Sequence, residues 1–597
     1  MSGRTNLTKS KFMEYVRCNR FPALNHIHKR MDLDDALKDR FYDLVSSLEY
    51  DTELTEDFLD VDLTHLEVMM PYYNKVEIVS AKKVMKHFGG ETRYSTEYGK
   101  QKLFLRDHKG FNLQCYIDIY NKQNSQINVI EAKATTTNKF MKMKYTENKV
   151  EQFLFFKDEN GILHLNEETD PLLLSNPKYM KQRDKLFDRM NGAGVYVYDL
   201  AFQRFVIEED VAGAKYYLGV LNHEYIFDGT YIDGEPIYGE DVACLIDLTK
   251  ITKEMMPKIE NDINAVIERI IEDDESRVPL GNHCQIKKMR ECIYKDICYD
   301  RFPKKNSIMM FLDKHHGFKE DTGVKHDLYD LIEEGYYKMT DLPHEYLNRK
   351  NNQIQRDVAL TGKTYINANK MKSAIETLNY PLYHLDFESF PCPFPRFKGE
   401  KAYDQSLFQF SLHIEREPGV CDKEKDHYEF LSKDHKDNRR ELVEKLVEYI
   451  KLDGGSVVVF NETFEKTRIK ELAKLFPEYS EQLVDINSRL FDLLYVVKTN
   501  TKLFTALGFD EEVAKTINYY HEDLSGSFSI KKVLPIFSEL TYKGMEVGNG
   551  MEAVYAYAGY FDMGPEERAQ KQHALVEYCK QDTWAMVEIL DELRKIV

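Results

Sequence analysis

Asp386 and Glu388 stand two residues apart in an apolar run, YPLYHLDFESF, that has the pattern of a buried strand. A strand alternates faces at every residue, so both carboxylates point the same way. Carboxylates buried without partners are costly, and they neutralise, pair or bind a cation. Two acids on one strand face, joined by later carboxylates, can hold two divalent ions for phosphoryl transfer. Three later strings follow in order: FNETFE around Glu465, GSFSIKKVLP from Gly526, and VEYCKQDTWAM around Asp582.

The last carboxylate needs a helix to carry it. Gly564-Pro565-Glu566-Glu567 reads as a helix start, with proline in the first turn and acids at the positive dipole end. Leu575, Cys579, Met586, Ile589 and Leu593 then recur at helical spacing. Asp582 lies on that apolar face, with Tyr578 one turn earlier on the same side. A core helix with one satisfied aspartate would read the same way. Asp492, in RLFDLLYVVK, is a substitute ligand or a solvated aspartate at an element end.

A second constellation lies in the N-terminal half. FNLQCYIDIY alternates like a half-buried strand, NKQNSQ is a turn cluster, and INVIEAKAT returns as a second strand. Asp118 lies on the first strand, and Glu131 and Lys133 share one face of the second. Two acids can bind a divalent ion, while the lysine positions water and supports developing charge. An ordinary surface hairpin has the same pattern.

The four C-terminal strings together resemble the DEDD exonuclease superfamily, which is DnaQ-like with a ribonuclease H-like fold. The residues that carry the resemblance are Asp386, Glu388, Asn461, Phe464, Glu465, Tyr578 and Asp582, and the tyrosine spacing is that of the tyrosine subclass. Glu465 stands where the second motif usually ends in aspartate. The N-terminal half resembles RecB-like PD-(D/E)XK nucleases. VSAKKVMKHFGGE (79–91) is similar to the helix before their core strands, and DLAFQRFVIEED places Gln203 where the family carries a helical glutamine. The histidine that many of these nucleases place on an early helix is not evident.

Cys18 precedes this domain, and Cys284, Cys292 and Cys298 close it, with seven and then five intervening residues. This bracketing resembles the iron-sulfur-clamped branch of that family, and the resemblance implies a [4Fe-4S] cluster that ties the domain ends together. Zinc suits four thiolates too, though the spacing is not that of a zinc ribbon. Scattered structural cysteines are the plain alternative. Cys115, Cys244, Cys392, Cys421 and Cys579 read as packing residues.

The frame fits these readings. The chain has 597 residues, 42% of them hydrophobic, and a net charge of -19. That charge excludes a broadly basic nucleic-acid coat and leaves local stretches, 133–149, 287–305 and 349–372, to meet phosphate or simply to be solvated. No segment has the length of a membrane helix, and the N-terminus lacks a signal peptide's apolar core, so a cytoplasmic protein is expected. LTGKTY from Leu360 is not a P-loop, because Asp357 stands where the first glycine is required. Residues 139–190 read as an inserted helical or mobile segment.

The expected fold is α/β in three parts. Residues 1–300 form a PD-(D/E)XK nuclease domain, 301–378 a helical connector, and 379–597 a ribonuclease H-like exonuclease domain. The resemblance implies a metal-dependent nuclease with two centres. Asp386, Glu388, Glu465 and Asp582 would hold Mg²⁺ or Mn²⁺ for 3′-end trimming, with Tyr578 orienting water. Asp118, Glu131, Lys133 and Gln203 would cut nucleic acid, DNA more than RNA. A separate helicase or defence-system partner fits such a nuclease, a membrane does not, and the sequence sets no oligomeric state. The alternatives are a single active centre beside a binding platform, or a non-catalytic nucleic-acid-binding assembly protein.

Overall fold

A computed structural model describes residues 5–30, 66–96, 100–286 and 290–597. The chain is mixed α/β and divides into two compact units. The first comprises Met1–Lys295 and Pro391–Asp404, and the second Asp296–Phe390 and Gln405–Val597. Among the described residues no helix is long and apolar enough to cross a membrane.

The first unit is built from α1 (Lys9–Tyr15), α2 (Leu66–Phe88), β1 (Phe111–Ile117), β2 (Ile119–Gln123), β3 (Gln126–Thr136), α3 (Gly194–Ile207), β4 (Lys215–Leu221), β5 (Ala243–Asp247) and α4 (Thr249–Glu272). Its main sheet runs Glu91–Tyr94, β2, β3, β4, β5, Leu163–Leu165, Phe155–Lys157. β3 pairs antiparallel with β2 and parallel with β4. Covered on both faces, β3 reads as a near-continuous buried run. Ala81 and Val84 of α2 pack against Ile119, Ile130, Ala132, Tyr217 and Leu245 of the sheet. α3 is apolar on nearly every side and buried along its length. Phe12 of α1 stacks on Tyr198 and Phe202 of α3, at 5.7 and 4.6 Å between centroids. At the start of α3, a Cβ on Gly194 would lie 2.1 Å from the Asp188 carbonyl oxygen, so only glycine permits that approach.

Two expectations change here. FNLQCYIDIY is not one strand. It bends at Asp118, so that β1 joins Asn6–Thr8 and Lys102–His108 in a separate three-stranded sheet while β2 enters the main one. The segment 139–190 is not simply helical. It holds the hairpin Lys144–Glu147/Val150–Phe153, two strands of the main sheet and the short helix Pro177–Arg183.

The second unit contains β6 (Leu382–Pro391), β7 (Gln405–Glu415), β8 (His427–Leu431), β9 (Val457–Val459), α5 (Thr463–Leu475), β10 (Leu490–Asp492) and α6 (Pro565–Ile596). The sheet order is β8, β7, β6, β9, β10. β6, β9 and β10 run parallel, and β8 is antiparallel to β7. One core joins Phe410 and Leu412 of β7 to Leu442, Leu446 and Ile469. The other joins Leu382, Val458 and Val496 to Ile589 and Leu593 of α6. Residues 301–378 contribute to this second core through Ile354, Val358, Met371 and Ala374, so they pack as part of the unit.

α6 is fastened to β7 by polar groups. Gln409 donates to the Leu575 carbonyl at 2.9 Å. Ser411 Oγ and His413 Nδ1 each lie 2.8 Å from Thr583 Oγ1. Glu415 accepts from Arg594 at 2.6 Å and lies 3.1 Å from His384 Nε2. These four positions alternate along β7, so one face of the strand is a polar seam for the helix while Phe410 and Leu412 face the core.

Burial pushes the Glu415 carboxyl up, but His384 and Arg594 outweigh it and hold it down at about 2. A depressed carboxyl stabilises the fold above its unfolded pKa of about 4.3, and that stability is lost as pH falls from there towards 2. Arg594→Ala leaves this buried charge with fewer partners. It should cost about 3–5 kcal/mol, read as a lowered midpoint for the second unit's unfolding transition, and the acid limb of its stability profile should move to higher pH.

Candidate metal centres

The second unit gathers three acids. Asp386 and Glu388 project from the same face of β6, and Asp582 comes from the middle of α6. Each offers a ligand oxygen, and these atoms all lie within 4.8 Å of one another. Asp386 Oδ2 accepts from the buried Cys579 thiol at 3.3 Å. Asp582 Oδ1 accepts from the Tyr542 hydroxyl at 2.6 Å. Burial first and the nearby Asp582 charge second push the Asp386 carboxyl well above the usual carboxylate range. A divalent cation relieves that cost, and an all-oxygen donor set suits Mg²⁺ or Mn²⁺. The three acids therefore fit such an ion.

Glu465 and Tyr578 stand differently. Glu465 is buried in the first turn of α5 and is not among the three gathered acids. Tyr578 is buried one turn before Asp582, with its ring 6.1 Å from that of Tyr542. Asp492 is a cap. Its carboxylate accepts from the backbone N–H groups of Asn461, Glu462 and Leu494 at 2.9, 3.1 and 3.0 Å. It thereby fixes the turn before α5, where Asn461 adopts φ 73°. Burial raises this carboxyl to about 6 despite those three bonds.

The first unit brings together all four of its expected residues. Asp118, at the bend between β1 and β2, accepts from Gln101 Nε2 at 3.0 Å and from the Ala132 N–H of β3 at 2.8 Å. Glu131 Oε1 lies 3.0 Å from Lys133 Nζ, and Glu131 Oε2 accepts from Gln203 Nε2 of α3 at 2.5 Å. Two further residues join them. Lys9, the first residue of α1, donates to Glu131 Oε1 at 2.7 Å, and Asp199, one turn before Gln203, lies 3.3 Å from Lys133. Burial pushes Asp118 far up, helped by the charges of Glu131 and Glu77. Burial also opposes ionisation of Glu131, but Lys9, Lys133 and Gln203 hold it down at about 2. Among the described residues, Gln203 Oε1 is buried without a hydrogen-bond partner. Asp118 and Glu131, two neighbouring buried carboxylates with the Gln203 amide bonded to Glu131, offer oxygen donors of the kind that fit a hard divalent ion.

Cys18, Cys284 and Cys292 belong to the first unit, and Cys298 lies in the second. The Cys292 N–H donates to the Cys284 carbonyl at 3.0 Å. Burial, with the Cys18 charge nearby, pushes the Cys292 thiol up to about 12. Among the described residues no three of these cysteines gather as the acid triad does.

Comparison with known proteins adds a family match over part of the chain. Residues 383–529 match a family described as a domain of unknown function, DUF2779. That span includes Asp386, Glu388, Glu465 and Asp492 and ends before α6. The chain is 24% identical to "Uncharacterized protein UU173" of Ureaplasma parvum over 65% of its own length and 58% of that protein's. It is 26% identical to "Uncharacterized protein MG366" of Mycoplasma genitalium over 38% of its own length and 34% of the relative's. The chain thus spans about a third to three-fifths of the length of these curated relatives. No solved structure matches it significantly.

Lys9, Asp199, Gln101 and Tyr542 are absent from the sequence reading. Lys9, Gln101 and Tyr542 lie 122, 17 and 40 residues from the acids they touch, and Asp199 reaches Lys9 and Lys133 from a different element. Tyr542 lies within ELTYKGMEVGNGMEA, where nothing distinguishes it from the chain's many other tyrosines.

The cap at Asp492 separates structure from chemistry. Asp492→Ala should cost about 1–3 kcal/mol for the backbone groups it leaves unsatisfied, seen in thermal unfolding. Mn²⁺ binding at Asp386, Glu388 and Asp582 should persist in the folded variant, measured by electron paramagnetic resonance. A ligand would show the reverse.

Proposed function

We propose that the protein is a metal-dependent phosphodiesterase acting on nucleic acid, with a DnaQ-like 3′–5′ exonuclease centre in the second unit and a RecB-like nuclease centre in the first. The observation that carries this reading is the convergence of Asp386, Glu388 and Asp582, three carboxylate oxygens within 4.8 Å of one another on a central strand and a facing helix. The four-residue set around Glu131 supports the second centre. The ribonuclease H-like and PD-(D/E)XK folds belong to this reading, as do DNA as the preferred substrate, a cytoplasmic setting and a helicase or defence-system partner.

In the second unit, Asp386, Glu388 and Asp582 would hold the divalent ions. When bound, such ions polarise phosphoryl oxygens and lower the pKa of water. The chain's own residues supply the rest. Cys579 and Tyr542 fix the rotation of Asp386 and Asp582 through their hydrogen bonds. Tyr578, one turn from Asp582, would orient the attacking water. Glu465 would join the ligand set only after a change of side-chain position, since it stands outside the triad. In the first unit, Asp118 and Glu131 would hold the ion, Gln203 keeps Glu131 from rotating, and Lys133 offers its ammonium to the developing charge.

Asp386→Ala or Asp582→Asn should lower 3′-end trimming by about a hundredfold or more, assayed on single- and double-stranded DNA and RNA with each end labelled. Tyr578→Phe should slow it less. Wild-type trimming by the purified, folded double variant would remove the exonuclease assignment. Lys133→Ala should abolish a cleavage that survives Asp386→Ala. If Asp386→Ala alone removes every product, the first unit is a binding platform.

The bracketing cysteines are proposed to hold a structural [4Fe-4S] cluster, with zinc as the competing ion. Protein purified without oxygen should then be brown, with about four irons and matching sulfide. Cys292→Ser should lower the stability of the first unit while trimming by the second persists. Zinc without sulfide would replace the cluster, and no metal would leave the thiols as packing residues.

A further inference from the structure

We infer that Lys9 is a built-in cation of the first-unit centre, and that it competes with a divalent ion for Glu131. This rests on the metal-centre reading of Asp118 and Glu131 given above. Lys9 Nζ lies 2.7 Å from Glu131 Oε1 and 3.4 Å from Asp199 Oδ2. Lys133 Nζ lies 3.0 and 3.3 Å from the same two oxygens. Two ammonium groups thus share two carboxylate oxygens, and none of the four side chains is more than 11% exposed. That quartet is neutral by itself. A divalent ion on Asp118 and Glu131 would add two positive charges beside two ammonium groups. Like charges a few ångströms apart in a protein interior weaken binding by about tenfold or more.

Of the two lysines, Lys9 is the one able to withdraw. Lys133 is carried by the same strand as Glu131, two residues on, and stays on its face. Lys9 comes from a separate element, and its four-carbon stem gives the ammonium reach. Its place in the first turn of α1 is also one where the helix dipole disfavours a cation, so local helix stability does not account for it. Gln203 holds Glu131 through Oε2, so withdrawal of Lys9 reduces the ammonium groups on Oε1 from two to one, Lys133, without turning the carboxylate away. Lys9 therefore sets the divalent-ion concentration at which this centre fills. It is a positioning residue, since it acts through Glu131.

The test uses the 597-residue chain carrying Asp386→Ala and Asp582→Asn, which silences the triad, and measures Mn²⁺ binding by electron paramagnetic resonance. Lys9→Met should bind Mn²⁺ about tenfold or more tightly, and Lys9→Arg should bind as Lys9 does. Asp199→Asn should bind more weakly, because both lysines then fall to Glu131. A folded Lys9→Met variant with unchanged or weaker Mn²⁺ affinity overturns the inference and leaves the metal-centre reading intact. Should Lys9→Met fail to fold, Asp199→Asn decides, and unchanged or tighter binding overturns the inference. Absence of Mn²⁺ binding in the triad-silenced chain and in every variant overturns the metal-centre reading, and the inference with it.

Discussion

Burying carboxylates beside one another is the constraint around which both units are organised. Each acid taken out of water favours its neutral form, and a second acid alongside adds repulsion. Asp386 next to Asp582, and Asp118 next to Glu131 and Glu77, both meet this penalty, and both are pushed well above the ordinary range. The two units answer it differently. The first supplies ammonium groups from Lys9 and Lys133. In the second, a thiol donates to Asp386 and a phenol to Asp582, both of them neutral groups. Geometry follows from that penalty. Acids that must meet are placed on a central strand and a packed helix, where backbone position varies least.

Rigidity in the second unit comes from a feature that looks wrong for a core strand. β7 turns Gln409, Ser411, His413 and Glu415 towards α6, where an apolar face would be the ordinary choice. A hydrophobic contact tolerates sliding, whereas hydrogen bonds to Leu575, Thr583 and Arg594 fix the register of the helix along the sheet. Asp582 lies one residue before Thr583. Its approach to Asp386 is therefore set by a seam of side-chain bonds and not by packing alone.

What the sequence disclosed and what it concealed follow a physical line. Residues joined by a short period were legible. Asp386 with Glu388, Glu131 with Lys133, and Tyr578 with Asp582 share a face because strand and helix geometry leave no other choice. The helical start at Pro565 was legible for the same reason. Contacts closed through tertiary structure were not. Nothing local links Lys9 to Glu131, or Tyr542 to Asp582, and these are the partners that set the charge and rotation of the acids. Asp118 was placed near its neighbours, but the bend that divides β1 from β2 was hidden, because both flanks continue the same alternation. Asp492 reads from sequence as a substitute ligand or a solvated aspartate, and its carboxylate accepts three backbone N–H groups that no local pattern foretells. Glu465 keeps its position in the motif order and yet lies outside the gathered acids.

The excursion of residues 391–404 has a consequence for how the chain can be divided. At the end of β6 the backbone leaves the second unit and is counted with the first, where the Phe227 N–H donates to the Glu400 carbonyl and the Tyr403 hydroxyl donates to the Ala134 carbonyl of β3. It then returns to begin β7. The units are thus joined by three covalent crossings and not by one hinge. No single cut yields two intact halves, because the piece that completes the first is encoded inside the second. A fragment ending before residue 391 would lack residues 391–404 of the first unit. The two units are therefore tied along the chain more closely than domains strung on a single linker.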